Sequence, residues 1–85
     1  MTSLESLGLA PGMAVRFRRS DGNRWQNAVV ERVEKDGSLG LRDGKGAARA
    51  IPIEQVEVAT LGPRGARTWE PVAVRAARTE QMRLL

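Results

Sequence analysis

The chain is expected to fold as a small, mainly β barrel of five strands with a C-terminal α-helical extension. Three features of the sequence lead there. Between Met13 and Ala59 apolar and polar residues alternate in short runs, the two-residue period of half-buried strands. Asp-Gly pairs at 21–22, 36–37 and 43–44 separate those runs at the tight spacing of an antiparallel meander. Beyond Gly62 the pattern changes to a Gly/Pro/Arg stretch followed by residues with helical spacing. Short strands at intervals of roughly ten residues suit a closed or nearly closed barrel, which also removes exposed sheet edges.

Taken in order, residues 1–10 are a lead that is expected to be partly flexible, with Leu4, Leu7 and Leu9 ahead of the Pro11-Gly12 turn signal. Ser3 or Ser6 is placed to cap a short helical turn there. The barrel is expected over 11–61. In MAVRFRR, Met13, Val15 and Phe17 face inward while Ala14, Arg16 and Arg18 face out. SDGN at 20–23 forms a hairpin-type turn. RWQNAVVERVE then supplies Trp25, Ala28, Val30 and Val33 as the inward set, with a bulge required where the parity changes between Val30 and Val33. KDGS at 35–38 turns into the short strand LGLRD, and DGKG at 43–46 into AARAIPI. Pro52 lacks an amide donor and belongs at a strand end or edge. IEQVEVA reads as one helical turn followed by a fifth strand, Val56–Ala59.

The remainder, 62–85, is expected to be a linker followed by a helix that packs on, or extends from, the barrel. Thr68 would cap that helix, Trp69 would begin it and Pro71 would sit in its first turn. Trp69, Val72, Ala73 and Ala76 then share one face, and Arg75, Arg78 and Met82 another. The apolar face is narrow, so the helix needs the barrel or a partner to be stable.

Composition narrows the chemistry. Eighty-five residues allow one domain with a modest core. The chain has neither cysteine nor histidine, which removes disulfides, thiolate chemistry, the commonest metal ligand and the usual neutral-pH base. No catalytic residue, metal site or cofactor is expected, and the chain is read as not an enzyme. The first residues, MTSLESLGLAPG, lack the basic start and apolar run of a signal peptide, and no stretch has the length of a membrane span. A cytoplasmic monomer without a membrane role is expected.

Charge points to a partner. Net charge is +4, and residues 62–85 hold five Arg against two Glu, whereas residues 1–61 are nearly balanced. Twelve of the fourteen basic residues are arginine, whose planar fork grips phosphates and stacks on rings. A GC-rich coding sequence would also favour arginine. The candidate nucleic-acid-binding residues are Arg16, Arg18, Arg24 and Arg49 on outward faces or turn edges, Arg64 and Arg67 in the linker, and Arg75 and Arg78 on the helix. Pairs such as Arg32 with Glu34 or Arg83 with Glu80 would instead make part of this charge an ordinary solvated surface. Trp69 either plugs the open end of the barrel or is an exposed anchor or stacking platform.

PGMAVRFRR…RWQNAVVERVEKDGSLGLRDGKGAARAIPIEQVEV, roughly residues 11–60, resembles the Tudor and KOW group of Src-homology-3-like small barrels. The resemblance is carried by Pro11-Gly12, Val15, Trp25, Ala28, Val30, Asp36-Gly37, Asp43-Gly44, Pro52 and Val56. It implies that fold, which hosts many unrelated functions. The methyl-lysine reading typical of Tudor domains needs an aromatic cage. With no Tyr, and with Phe17 and Trp25 expected in the core, the chain does not supply one. PRGAR at 63–67 is similar to the core of AT-hook arms, with Ala66 where the second Arg would stand. DNA or RNA is therefore the expected partner of an accessory protein that uses an Arg-rich surface and a C-terminal arm. A Tudor-like protein–protein adaptor with no nucleic-acid role is the alternative.

Overall fold

The computed structural model describes residues 3–20 and 22–84, with side chains as far as residue 82. Six antiparallel strands form one open sheet: β1 (Ala14–Phe17), β2 (Gln26–Val33), β3 (Leu39–Asp43), β4 (Ala48–Ile51), β5 (Val56–Leu61) and β6 (Arg67–Pro71). Their order is β4-β3-β2-β1-β5-β6, and a helix, α1 (Val72–Leu84), follows the last strand. Hydrophobic alternation makes β1 half-buried: Val15 and Phe17 lie within the core while Ala14 is exposed and Arg16 half-exposed. The same parity buries Ala28 and Val30 in β2, Leu39 and Leu41 in β3, and Val56 and Val58 in β5.

The irregularity expected in β2 is present. Its pairing with β3 shifts register between Val30 and Arg32, and Val33 thereby returns to pack against the core. Ile53–Gln55 form a single 3-10 turn between β4 and β5. Pro52 falls immediately after β4, an outer strand, where its missing amide breaks no ladder bond. Asp36 and Asp43 do the work of turn residues: Asp36 Oδ1 accepts from the Ser38 amide at 3.0 Å, and Asp43 Oδ1 from the amides of Lys45 and Ala47 at 2.9 and 3.0 Å. The expected turn at Asp21 and the Arg83–Glu80 pair lie outside the described residues.

The strand count is six, where five were expected, and the reason lies in residues 62–71. Gly62, Pro63, Arg64 and Gly65 do not form a linker but the tip of a hairpin, closed by the Gly62 amide on the Ala66 carbonyl at 2.6 Å and the Gly65 amide on Gly62 at 3.1 Å. Arg67, Thr68, Trp69, Glu70 and Pro71 then pair along β5 from Leu61 back to Glu57. A β-branched residue and an aromatic beside an unpaired strand edge gain more from a ladder than from a first helical turn. The helix therefore starts at Val72 rather than Trp69, and Thr68 is a strand residue, not a cap.

The lead and the helix complete the core together. Leu4, Leu7 and Leu9 are buried around a 3-10 turn, Glu5–Leu7, and Val72 is fully buried beside them. Ser3 Oγ accepts from the Ser6 amide at 3.2 Å, while Ser6 Oγ accepts from Ser3 at 3.1 Å, so the two serines brace that turn reciprocally. Gly8 follows at φ +75°, against α1. No helix among the described residues is long and apolar enough to cross a membrane.

Candidate nucleic-acid interface

Strand register decides which side chains share the outer face. Arg16 pairs with Asn27 of β2 on one side and Glu57 of β5 on the other, and Glu57 in turn lies opposite Pro71. Two residues further along β5 and β6, Ala59 faces Trp69, and two more bring Leu61 to Arg67. Since side chains alternate, Arg67, Trp69, Glu57 and Arg16 project from the same side of the sheet, away from Val15, Phe17, Val56 and Val58.

On that side, arginine and tryptophan alternate in space. The Arg16 guanidinium lies 4.3 Å from the centre of the Trp25 ring and 4.7 Å from that of Trp69, held between the two indoles. Arg18 lies 4.4 Å from the Trp25 ring. The sequence along the face is thus Arg67, Trp69, Arg16, Trp25, Arg18. Five residues of β5 separate the register of Arg67, beside Leu61, from that of Phe17, beside Val56, a span of about 17 Å. Both tryptophans are half-buried and neither belongs to the core cluster. Trp25 was expected inside and Trp69 was expected to begin the helix. Both stand instead on the outer face: Trp25 precedes by two residues Asn27, which pairs with the outward Arg16, and β6 puts Trp69 level with Ala59.

The charges along this face are unequal. Arg16 is neutralised: its Nε donates to Glu57 Oε1 at 2.8 Å and a second guanidinium nitrogen shares that oxygen, with both side chains largely shielded. Arg24, Arg64 and Arg67, by contrast, are exposed and have no ion-pair partner among the described residues, as does Arg19, which sequence reasoning left out. Arg19 and Arg24 belong to the β1–β2 connection at one end of the face. Arg64 and Arg67 belong to the β5–β6 hairpin at the other. Arg64, at the hairpin tip, has φ +67°, the one non-glycine residue with positive φ among those described.

The remaining candidates are engaged elsewhere. Arg49 reaches Asp43 Oδ2 at 3.0 Å on the opposite flank of the sheet. The Ala47 amide, and after it that contact, hold the Asp43 carboxyl below its ordinary range, and the Ser38 hydroxyl and amide do the same for Asp36. Arg42 is bound to Glu31 at 2.9 Å, and Arg32 to Glu34 at 2.9 Å, as the sequence spacing suggested. On the helix, Arg78 makes a two-pronged contact with Glu70 at 2.6 and 3.0 Å, and Arg75 meets the same carboxylate at 3.2 Å. Arg75 Nε also donates to the Gly8 carbonyl at 2.7 Å. Glu70 projects from the inner side of β6, so these two arginines clasp the helix to the sheet and lie away from the outer face.

The fold and this face define a small β-sheet module with a cation–aromatic surface. Set beside known proteins, the chain matches no family model, no curated protein and no solved structure.

Proposed function

We propose that the chain is a non-enzymatic nucleic-acid-binding accessory protein, of the Tudor/KOW small-barrel kind, whose contact surface is the outer face of β1, β5 and β6. The observation that carries this reading is the alternation Arg67, Trp69, Arg16, Trp25, Arg18, with 4.3–4.7 Å between guanidinium and ring wherever they stack. Proteins that follow a nucleic-acid strand combine cations for phosphates with aromatic rings for bases, and both are interleaved here. The exposed arginines Arg19, Arg24, Arg64 and Arg67 lie at the two ends, where a backbone crossing the face would enter and leave. The left-handed conformation at Arg64 adds support, since backbone strain at a non-glycine residue tends to gather at functional sites. Arg49, Arg75 and Arg78 are assigned structural roles, because their carboxylate partners already satisfy them.

The test is binding of labelled DNA and RNA at low and moderate salt by the full chain and by an Arg24→Gln/Arg64→Gln/Arg67→Gln variant. Binding should weaken steeply with salt, and the variant should lower the slope of log K against log salt by about 2–3, roughly one for each phosphate contact removed. Absence of binding by the folded full chain, or an unchanged slope in the variant, would remove the proposal.

A further inference from the structure

The geometry points to unpaired nucleotides, rather than a duplex, as the ligand of this face, with Trp69 and the cleft beside Trp25 receiving bases and the two ends receiving phosphates. The inference rests on the nucleic-acid reading above and sharpens it. Its basis is the charge pattern. A duplex presents a regular row of phosphates, with its bases stacked out of reach, so a duplex-binding face needs available cations along its whole length. Here the cations without partners are confined to the ends, at Arg19 and Arg24 and at Arg64 and Arg67. The central one, Arg16, is cancelled by Glu57 at 2.8 Å. What remains in the middle is close to neutral: two half-buried indoles with a paired guanidinium between them. That surface suits the ring of a base and gives a phosphate little.

A cleft beside Trp25 reinforces the point. It has a volume of about 140 Å³ and is lined by Arg18, Trp25, Glu54, Gln55, Glu57 and Pro71 among others. The Glu54 carboxylate and the Gln55 side-chain carbonyl can accept hydrogen bonds from the exocyclic amines of bases, which a phosphate lacks. The cleft thus offers acceptors to the edge of a base, and a base enters it only when unpaired and unstacked. Arg16 acts as a positioning residue: pinned by Glu57, it fixes the separation and tilt of the two indoles.

The experiment follows tryptophan fluorescence of the full chain with four probes of equal length, about twelve nucleotides. They are a DNA strand without self-complementarity, the RNA of the same sequence, the DNA duplex, and an abasic deoxyribose-phosphate strand that keeps the charge and lacks the bases. Both unpaired strands should quench the fluorescence, and at least one should bind tenfold or more tightly than either the duplex or the abasic strand. Which of DNA and RNA binds more tightly identifies the source of the ligand. Trp69→Leu should cost the unpaired strands about tenfold and leave the abasic strand nearly unchanged. Trp69→Phe, which keeps a ring on β6 if the leucine variant does not fold, should recover most of that loss. Duplex or abasic strand binding as tightly as the unpaired strands would overturn this inference and leave the nucleic-acid proposal standing. Binding of none of the four would overturn both.

Discussion

Gly8 is where the N-terminal lead and the C-terminal helix lock together, and replacing it with alanine should loosen both. The magnitude follows from three contributions. Alanine at φ +75° carries the left-handed penalty, about 1–2 kcal/mol. Its methyl would also stand 2.5 Å from Thr79 Oγ1 and 3.2 Å from Arg75 Nε, well inside normal contact. Thr79 would have to turn away from its 2.8 Å bond to the Arg75 carbonyl, at a further cost of about 1 kcal/mol. The alanine restricts the unfolded chain and returns about half a kcal/mol. The net loss is about 2 kcal/mol, or a fall in melting temperature of about 8–16 °C for a domain of this size. Thermal unfolding of Gly8→Ala, Thr79→Ala and the double variant, followed by circular dichroism, separates the contributions. With the hydroxyl gone, the glycine substitution should cost about 1 kcal/mol less, leaving backbone strain and the closer contact with Arg75. A loss below about 0.5 kcal/mol, or the same loss in both backgrounds, would refute the close contact between Gly8 and α1.

Other consequences are equally direct. The carboxyls of Asp36 and Asp43 titrate below their ordinary value of 3.8 when folded, so the stabilisation they provide is complete above about pH 4 and is lost as pH falls through the lowered values. With no histidine in the chain, the melting temperature should be flat between about pH 5 and 8 and decline in acid, and Asp43→Asn should blunt that decline. Arg64→Gly should relieve the strained tip and raise stability by up to about 1 kcal/mol in thermal unfolding, while weakening nucleic-acid binding severalfold. A stability gain without loss of binding would detach Arg64 from the proposed face.

The first five strands were legible because their signals are local. Alternation around Val15 and Phe17, the broken parity between Val30 and Val33 and the turn chemistry of Asp36 and Asp43 each recur in the structure at the expected place. The tail was harder to read. Trp69-Glu70-Pro71 carries a plausible helix start, and only the free edge of β5, formed by residues distant in sequence, makes it a strand. The face was misjudged for a related reason. Trp25 has the bulk of a core residue, but its environment is fixed by the register of β1 with β2 across a connection whose length periodicity does not specify. Once β1 and β2 are aligned with Arg16 opposite Asn27, the outward position of Trp25 follows from simple alternation. The pairing of Arg75 and Arg78 with Glu70 was hidden likewise, since it depends on where the strand ends and the helix begins.

The most direct test of the central claim is an NMR titration of the labelled full chain with an unpaired oligonucleotide, mapping amide and indole shifts residue by residue. The account predicts that the largest changes fall on Arg16, Arg18, Trp25 and Asn27 and on Arg67 and Trp69, with the indole N–H signals of both tryptophans moving together. Changes centred instead on Arg75 and Arg78 of α1, or on Arg49 of β4, would contradict it.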